Sequence, residues 1–325
     1  MISKDTLKKK IRKIGRQFDD GVLIPNWGFR NPNFIYLLGS DIDYSIAYID
    51  NSGLKIFTTM LNQSLCNKEY GEIAEVIVFK SIREVIQKTS RNCAVDYSHA
   101  PYYIYRKIKG HRNAGEVLTA IREVKDDYEI ETMRTARRKT VKMLDKIDVC
   151  GNEDRIYRNM LVAIAGMGCA AAFDPIVANS SNARFPHYKP GKGRVTDYVL
   201  IDAGIRYMNY NSDITRCIGN VPKEYATLKE IVMEICDFAY SGTEINEFLE
   251  NVDNVLARYK IPTMPHSIGH GIGIEVHELP HLRKNRSKNI LKENSVITIE
   301  PGIYNRNGLR YEDMFVIGKK KARII

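Results

Sequence analysis

Over the first part of the chain, apolar residues gather in short runs broken by Asn, Gly and Ser. VLIPN (22–26), FIYLLG (34–39), SIAYID (45–50), LKIFTT (54–59) and AEVIVF (74–79) are rich in β-branched and aromatic residues, which predicts strands. SIREVIQKTS (81–90) and PYYIYRKIKG (101–110) predict helices. The pattern then changes. In DDYEIETMRTARRKTVKMLDKI (126–147), Ile130, Met133, Val141 and Leu144 recur at helical intervals, and Asp126 and Glu129 have capping-box spacing at its start. NEDRIYRNMLVAIAGMG (152–168) and EYATLKEIVMEICDFAYSG (224–242) predict further helices, and residues 196–221 and 295–318 are strand-rich. The expected class is α/β (α+β), with a small amino-terminal α/β domain over residues 1–118 and a second domain over residues 119–325.

Composition narrows the picture by exclusion. Charged residues make up 27% and apolar residues 44%, so the chain is globular rather than disordered. No run approaches the ~20 apolar residues of a membrane span. The basic start MISKDTLKKKIRKIGRQ lacks the apolar stretch of a secretory signal. The six cysteines are scattered without a C-x-x-C pair, which fits free thiols in a reducing cytoplasm. The net charge of +10 is spread along the chain without a recognition signature, and reads as a solvated basic surface with no specific nucleic-acid partner.

The chemistry lies in two acidic hairpins. In YVLIDAGIRYMNYNSDITRCI (198–218), a turn centred between Tyr207 and Met208 would set Asp202 directly opposite Asp213. Opposed residues on antiparallel strands have Cβ atoms roughly 4.5–5.5 Å apart, and like charges there call for a cation between them. In VITIEPGIYNRNGLRYEDMFVI (296–317), NRNG supplies the turn, and Glu300 and Glu312 are symmetric about Arg306. The two segments echo each other as Ile-acid-x-Gly-Ile at 201–205 and 299–303, which suggests a pseudo-two-fold domain. Between them, HSIGHGIGIEVHE (266–278) holds three of the seven histidines without the His-Glu-x-x-His spacing of a helical zinc site. Four carboxylates and an imidazole suit a pair of divalent ions. The oxygen-rich set favours Mn²⁺ or Co²⁺, with Zn²⁺ or Fe²⁺ as alternatives. Gly269 and Gly271 would let His270 approach the ions.

The segments IDAGIRYMNYNSDITR, HSIGHGIGIEVHE, TIEPGIY and GLRYED, together with NPNFIYLLG in the first domain, resemble the pita-bread metallopeptidases (the creatinase/aminopeptidase fold), among which prolidases and Xaa-Pro aminopeptidases are most similar. The resemblance implies metal ligands Asp202, Asp213, His270, Glu300 and Glu312, with Asp213 and Glu312 bridging. It implies catalytic roles for Glu300, His277 and His187, and substrate contacts from His187, His266, His277 and Arg310. It also implies proline-containing di- or short peptides as substrates, and a cytoplasmic homodimer. The chain departs from the pattern at Cys217, at Tyr311, and at His281, where prolidases carry a carboxylate-binding arginine; Arg283 and Arg286, nearby, are the expected substrate-binding residues in its place. An Xaa-Pro dipeptidase and an aminopeptidase on longer peptides therefore both stay open. A metal-free binding protein of the same fold is the alternative of another class, and the presence of all five ligand residues speaks against it.

Overall fold

The computed structural model describes residues 2–108, 110–286 and 288–325. The chain divides into two compact units, one ending at Arg122 and the other beginning at Glu123. The first unit is built on a five-stranded mixed sheet. Val22–Asn26 pairs antiparallel with Ser45–Asp50 and parallel with Ala94–Val95. Gly53–Thr58 pairs antiparallel with Ser45–Asp50 and parallel with Ala74–Val78.

One expected strand is a helix. Pro32–Leu38, fully buried, carries most of the FIYLLG run. A short apolar run does not distinguish a buried strand from a buried helix, and here the ends decide. The Asn31 side chain accepts from the amides of Asn33 and Phe34, Pro32 occupies the first turn, and Gly39 closes the helix at φ 68°. A second helix, Lys4–Gly15, lies within the lysine-rich start. It buries Leu7 and Ile14 and also Lys10, whose Nζ donates to Tyr36 O at 3.0 Å and sits 4.0 Å from the Tyr36 ring centre.

In the second unit the Asp127–Leu144 helix starts with a reciprocal capping box. The Glu129 amide donates to Asp126 Oδ1, and the Asp126 amide to Glu129 Oε2, both at 2.9 Å. Two three-stranded antiparallel sheets follow. One orders Ile214–Gly219, Tyr198–Ala203 and Ile176–Asn179; the other orders Val296–Ile299, Asp313–Ile317 and Ala322–Ile324. Met143 of the Asp127–Leu144 helix and Ile156, Met160 and Ile164 of the Glu153–Gly166 helix pack with Val177, Val199 and Ile201. Leu228, Ile231, Phe248 and Val252, from the Glu224–Phe238 and Ile245–Arg258 helices, pack with Ile297, Phe315 and Ile317. Burying each such side chain contributes about 1.5–3 kcal/mol. Each half thus supplies a rigid sheet from whose end an acidic hairpin projects. No described helix is long and apolar enough to cross a membrane.

Candidate metal centre

The first hairpin turns at Met208–Asn209, both in the left-handed region with φ 46° and 71°. That two-residue turn matches the twist of the strands, and it sets Tyr207 opposite Tyr210 and Asp202 opposite Thr215. The direct Asp202–Asp213 opposition expected from the sequence is therefore replaced by a diagonal one. Asp213 lies two residues from Thr215, on the same face, because side chains alternate with a period of two. The second hairpin pairs Ile299 with Asp313 and Gly302 with Arg310, so Glu300 and Glu312 lie directly across from each other.

The histidine segment threads between these hairpins, and its glycines answer to packing. A Cβ at Gly269 would sit 2.1 Å from Thr298 O, one at Gly271 2.3 Å from the Leu279 carbonyl carbon, and one at Gly273 2.2 Å from Glu278 Oε1. Bare backbone lets the segment hydrogen-bond the neighbouring strand, Thr298 N–H to His270 O at 2.8 Å and Ile272 N–H to Val296 O at 3.1 Å. Beneath it, Lys125 and Glu278 form a fully buried ion pair at 2.9 Å. The His270 ring faces Gly271 O through Nδ1 at 3.2 Å, which assigns its proton to that nitrogen. Its Nε2 lone pair then points inward, 3.5 Å from Asp213 Oδ2 and 3.9 Å from Glu300 Oε1.

The resulting cleft has a volume of about 340 Å³, and Asp202, Asp213, His270, Glu300 and Glu312 all line it. Ligand atoms of Asp213, His270 and Glu312 lie within 4.8 Å of one another. Asp202 and Glu300 are shared with Arg310, which is 2.5 Å from Asp202 Oδ2 through Nη2 and 4.0 Å from Glu300 Oε2 through Nε. One guanidinium faces four acids. Burial, followed by the charges of Glu312, Asp202 and Glu300, holds Asp213 well above the usual carboxylate range; burial and the charges of Glu300 and Asp202 do the same to Glu312. Burial pushes Glu300 up to about 8, with Arg310 pulling it down and Asp202 pushing it up. Burial, then His277, lowers His270 to about 4, so its imidazole is neutral at pH 7. Oδ1 of Asp202 and Oδ1 of Asp213 are buried with no hydrogen-bond partner. Crowded acids, orphaned carboxylate oxygens and a neutral imidazole aimed at them form a donor set that suits a divalent cation.

His187, His266 and His277 also line the cleft, as does Arg310. His266 Nδ1 faces Ser267 O at 2.7 Å, and its Nε2 lies 2.6 Å from Tyr304 OH. The His277 ring centre is 4.2 Å from that of His270. Arg283 and Arg286 are not brought to this cleft. Leu282 is buried and Lys284 pairs with Asp253, which seats the segment against the Ile245–Arg258 helix; Arg283 lines a groove there with Leu249 and Leu256 that adjoins the cleft through His266 and Ser267. Sequence reasoning also missed two contributors. Thr215 donates to Glu312 Oε2 at 2.7 Å and accepts from Arg310 Nε at 3.0 Å. Tyr304 OH accepts from Arg310 Nη1 at 3.1 Å. Thr215 stands two residues after Asp213, so strand alternation could have placed it on the acidic face. Apart from Ser267, the remaining lining is apolar: Phe173, Ile176, Pro186 and Val276.

The sequence profile of metallopeptidase family M24 matches residues 131–319. An Xaa-Pro dipeptidase of Pyrococcus horikoshii is 29% identical, over 98% of this chain and 97% of its own. Among solved structures, an X-Pro aminopeptidase from Thermotoga maritima is similar with a TM-score of 0.83 at 25% identity, covering 97% of both chains. A prolidase from Pyrococcus horikoshii gives a TM-score of 0.80 at 26% identity, covering 98% of this chain and 97% of the other.

Proposed function

The chain belongs to metallopeptidase family M24 and has its pita-bread fold, and we propose that it hydrolyses the peptide bond before proline in short peptides, Xaa-Pro dipeptides first among them. The carrying observation is the convergence of four carboxylates and a neutral imidazole, with unpartnered buried oxygens, in one cleft. Asp202, Asp213, His270, Glu300 and Glu312 would hold two divalent ions. The predominance of oxygen donors favours Mn²⁺ or Co²⁺. When bound, such ions supply Lewis acidity and a hydroxide nucleophile near neutral pH.

The chain's own groups do the rest. Glu300, at the cleft wall, accepts the proton of the attacking water and passes it to the proline nitrogen as the carbon–nitrogen bond breaks. That nitrogen belongs to a tertiary amide and carries no hydrogen, so it leaves only when protonated. His277 donates to the carbonyl oxygen as negative charge develops there. Tyr304 OH donates to His266 Nε2, which keeps that ring neutral and oriented toward the substrate. His187 contacts the scissile carbonyl from the cleft mouth. The rigid pyrrolidine ring fits the apolar wall of Phe173, Ile176 and Val276. Arg310 is committed to Asp202, Tyr304 and Thr215, and Arg283 borders the groove that adjoins the cleft at His266.

The test is hydrolysis of Ala-Pro, Ala-Pro-Ala and Ala-Ala by manganese-loaded protein, followed as release of free alanine. The proposal expects Ala-Pro to be cleaved best and Ala-Ala not at all. Equal cleavage of Ala-Ala removes proline from the account, and equal cleavage of Ala-Pro-Ala replaces the dipeptidase with an aminopeptidase.

A further inference from the structure

His187 sits on an exposed stretch between the Ile176–Asn179 and Tyr198–Ala203 strands, whose only regular structure is the single turn Asn182–Arg184. Among the described residues its ring has no hydrogen-bond partner in the protein, so the backbone alone sets its position. That backbone is tied down at one point. Glu153, in the first turn of the Glu153–Gly166 helix, is completely buried beneath the stretch. Its Oε1 accepts from the Asn179 amide at 2.8 Å and from Asn182 Nδ2 at 2.9 Å. Its Oε2 accepts from Tyr188 OH at 2.8 Å and from the Gly191 amide at 3.1 Å. The Glu153 amide returns a bond to Gly193 O at 3.0 Å. The chain wraps the carboxylate so closely that a Cβ at Gly193 would lie 2.9 Å from Oε2.

We propose that Glu153 is a positioning residue for the reaction, acting through Tyr188 to hold His187 at the cleft mouth. The inference rests on the role given to His187 above. All four partners of Glu153 are donors, and the residue next to His187 is one of them. A carboxylate supplies the acceptors for four donors, whereas an amide in its place turns one of its two atoms into a donor facing donors. Tyr188 OH also accepts from Asn182 Nδ2 at 2.9 Å, so the three side chains close a ring around the start of the turn. No residue of this ring lines the acidic cleft, so the ion-binding groups are untouched by changes to it.

The test is a double-mutant cycle on manganese-loaded full-length protein with Ala-Pro as substrate. Glu153→Gln is expected to lower kcat by about tenfold to a hundredfold, with a smaller change in KM, because small misplacements of a catalytic group cost rate on that scale. His187→Ala should do the same. Glu153→Gln added to His187→Ala should change kcat less than about twofold, since the group it positions is gone. Tyr188→Phe, which keeps the ring packing, should lower kcat several-fold with bound manganese unchanged, and it carries the test if Glu153→Gln does not fold. Full multiplication of the Glu153 and His187 effects overturns the positioning role alone, as does an unchanged kcat in Tyr188→Phe. An unchanged kcat in His187→Ala overturns the role of His187 itself, and this inference with it.

Discussion

Removing the ions and then titrating the protein should expose the electrostatic load of the acidic cleft. Glu300 shows its size. In the metal-free protein burial pushes its carboxyl up to about 8, against an ordinary value of 4.5. Between those values the folded chain holds a proton that the unfolded chain releases. Stability is therefore greatest below the unfolded value and falls as pH rises toward the folded one, by about 1.4 kcal/mol per pH unit. From about pH 5.5 to about pH 7.5 the loss from Glu300 alone is on the order of 2–3 kcal/mol. Asp213 and Glu312 are also pushed up and act in the same direction. Glu300→Gln removes one titrating group, so the chelated variant should lose on the order of 2–3 kcal/mol less than the wild type over that interval. Urea denaturation in excess chelator at the two pH values measures both slopes. Added Mn²⁺ should then stabilise the wild type more than the variant. Burial lowers His270 to about 4, which acts in the opposite direction below about pH 6.5 but equally in both proteins, so equal slopes for wild type and Glu300→Gln would refute the reasoning.

Two further substitutions probe the supports of the site. Thr215→Val strands Glu312 Oε2 and Arg310 Nε without their shared partner, and should weaken manganese binding about tenfold to a hundredfold; a titration giving wild-type affinity would remove Thr215 from the site. Lys125→Met leaves Glu278 charged and buried under the histidine segment, and should cost ~3–5 kcal/mol in urea denaturation, much of it recovered in Lys125→Met/Glu278→Leu. A single variant within 1 kcal/mol of the wild type, on the order of an exposed pair, would mean that the pair is hydrated.

What the sequence made legible follows from how local each signal is. Both the long capped helix and the Glu300–Glu312 register are written in adjacent residues: Asp126 with Glu129 in one case, and the Asn305–Gly308 turn in the other. The first hairpin was misregistered because its turn places Met208 at positive φ, which few side chains adopt, and no glycine marks it. The Pro32–Leu38 helix was hidden in an apolar run that pattern alone reads either way, although Asn31, Pro32 and Gly39 spelled its ends. The Lys4–Gly15 helix was masked by its lysines, one of which is buried by contacts with Tyr36, far along the chain. The carboxylates could be paired from spacing, but their sharing of Arg310 could not, because that guanidinium reaches Asp202 from the opposite half of the domain. Glycines around His270 read as room for an ion. They are room for Thr298, Leu279 and Glu278, contacts that exist only once the chain has folded.

The central claim is that this cleft is built around divalent cations. Equilibrium dialysis of the chelated protein against Mn²⁺, with bound metal counted alongside proline release from Ala-Pro, tests it most directly. The account predicts two ions per chain, activity that rises with occupancy, and loss of both in Asp213→Asn. Undiminished proline release from protein that holds no metal would contradict it.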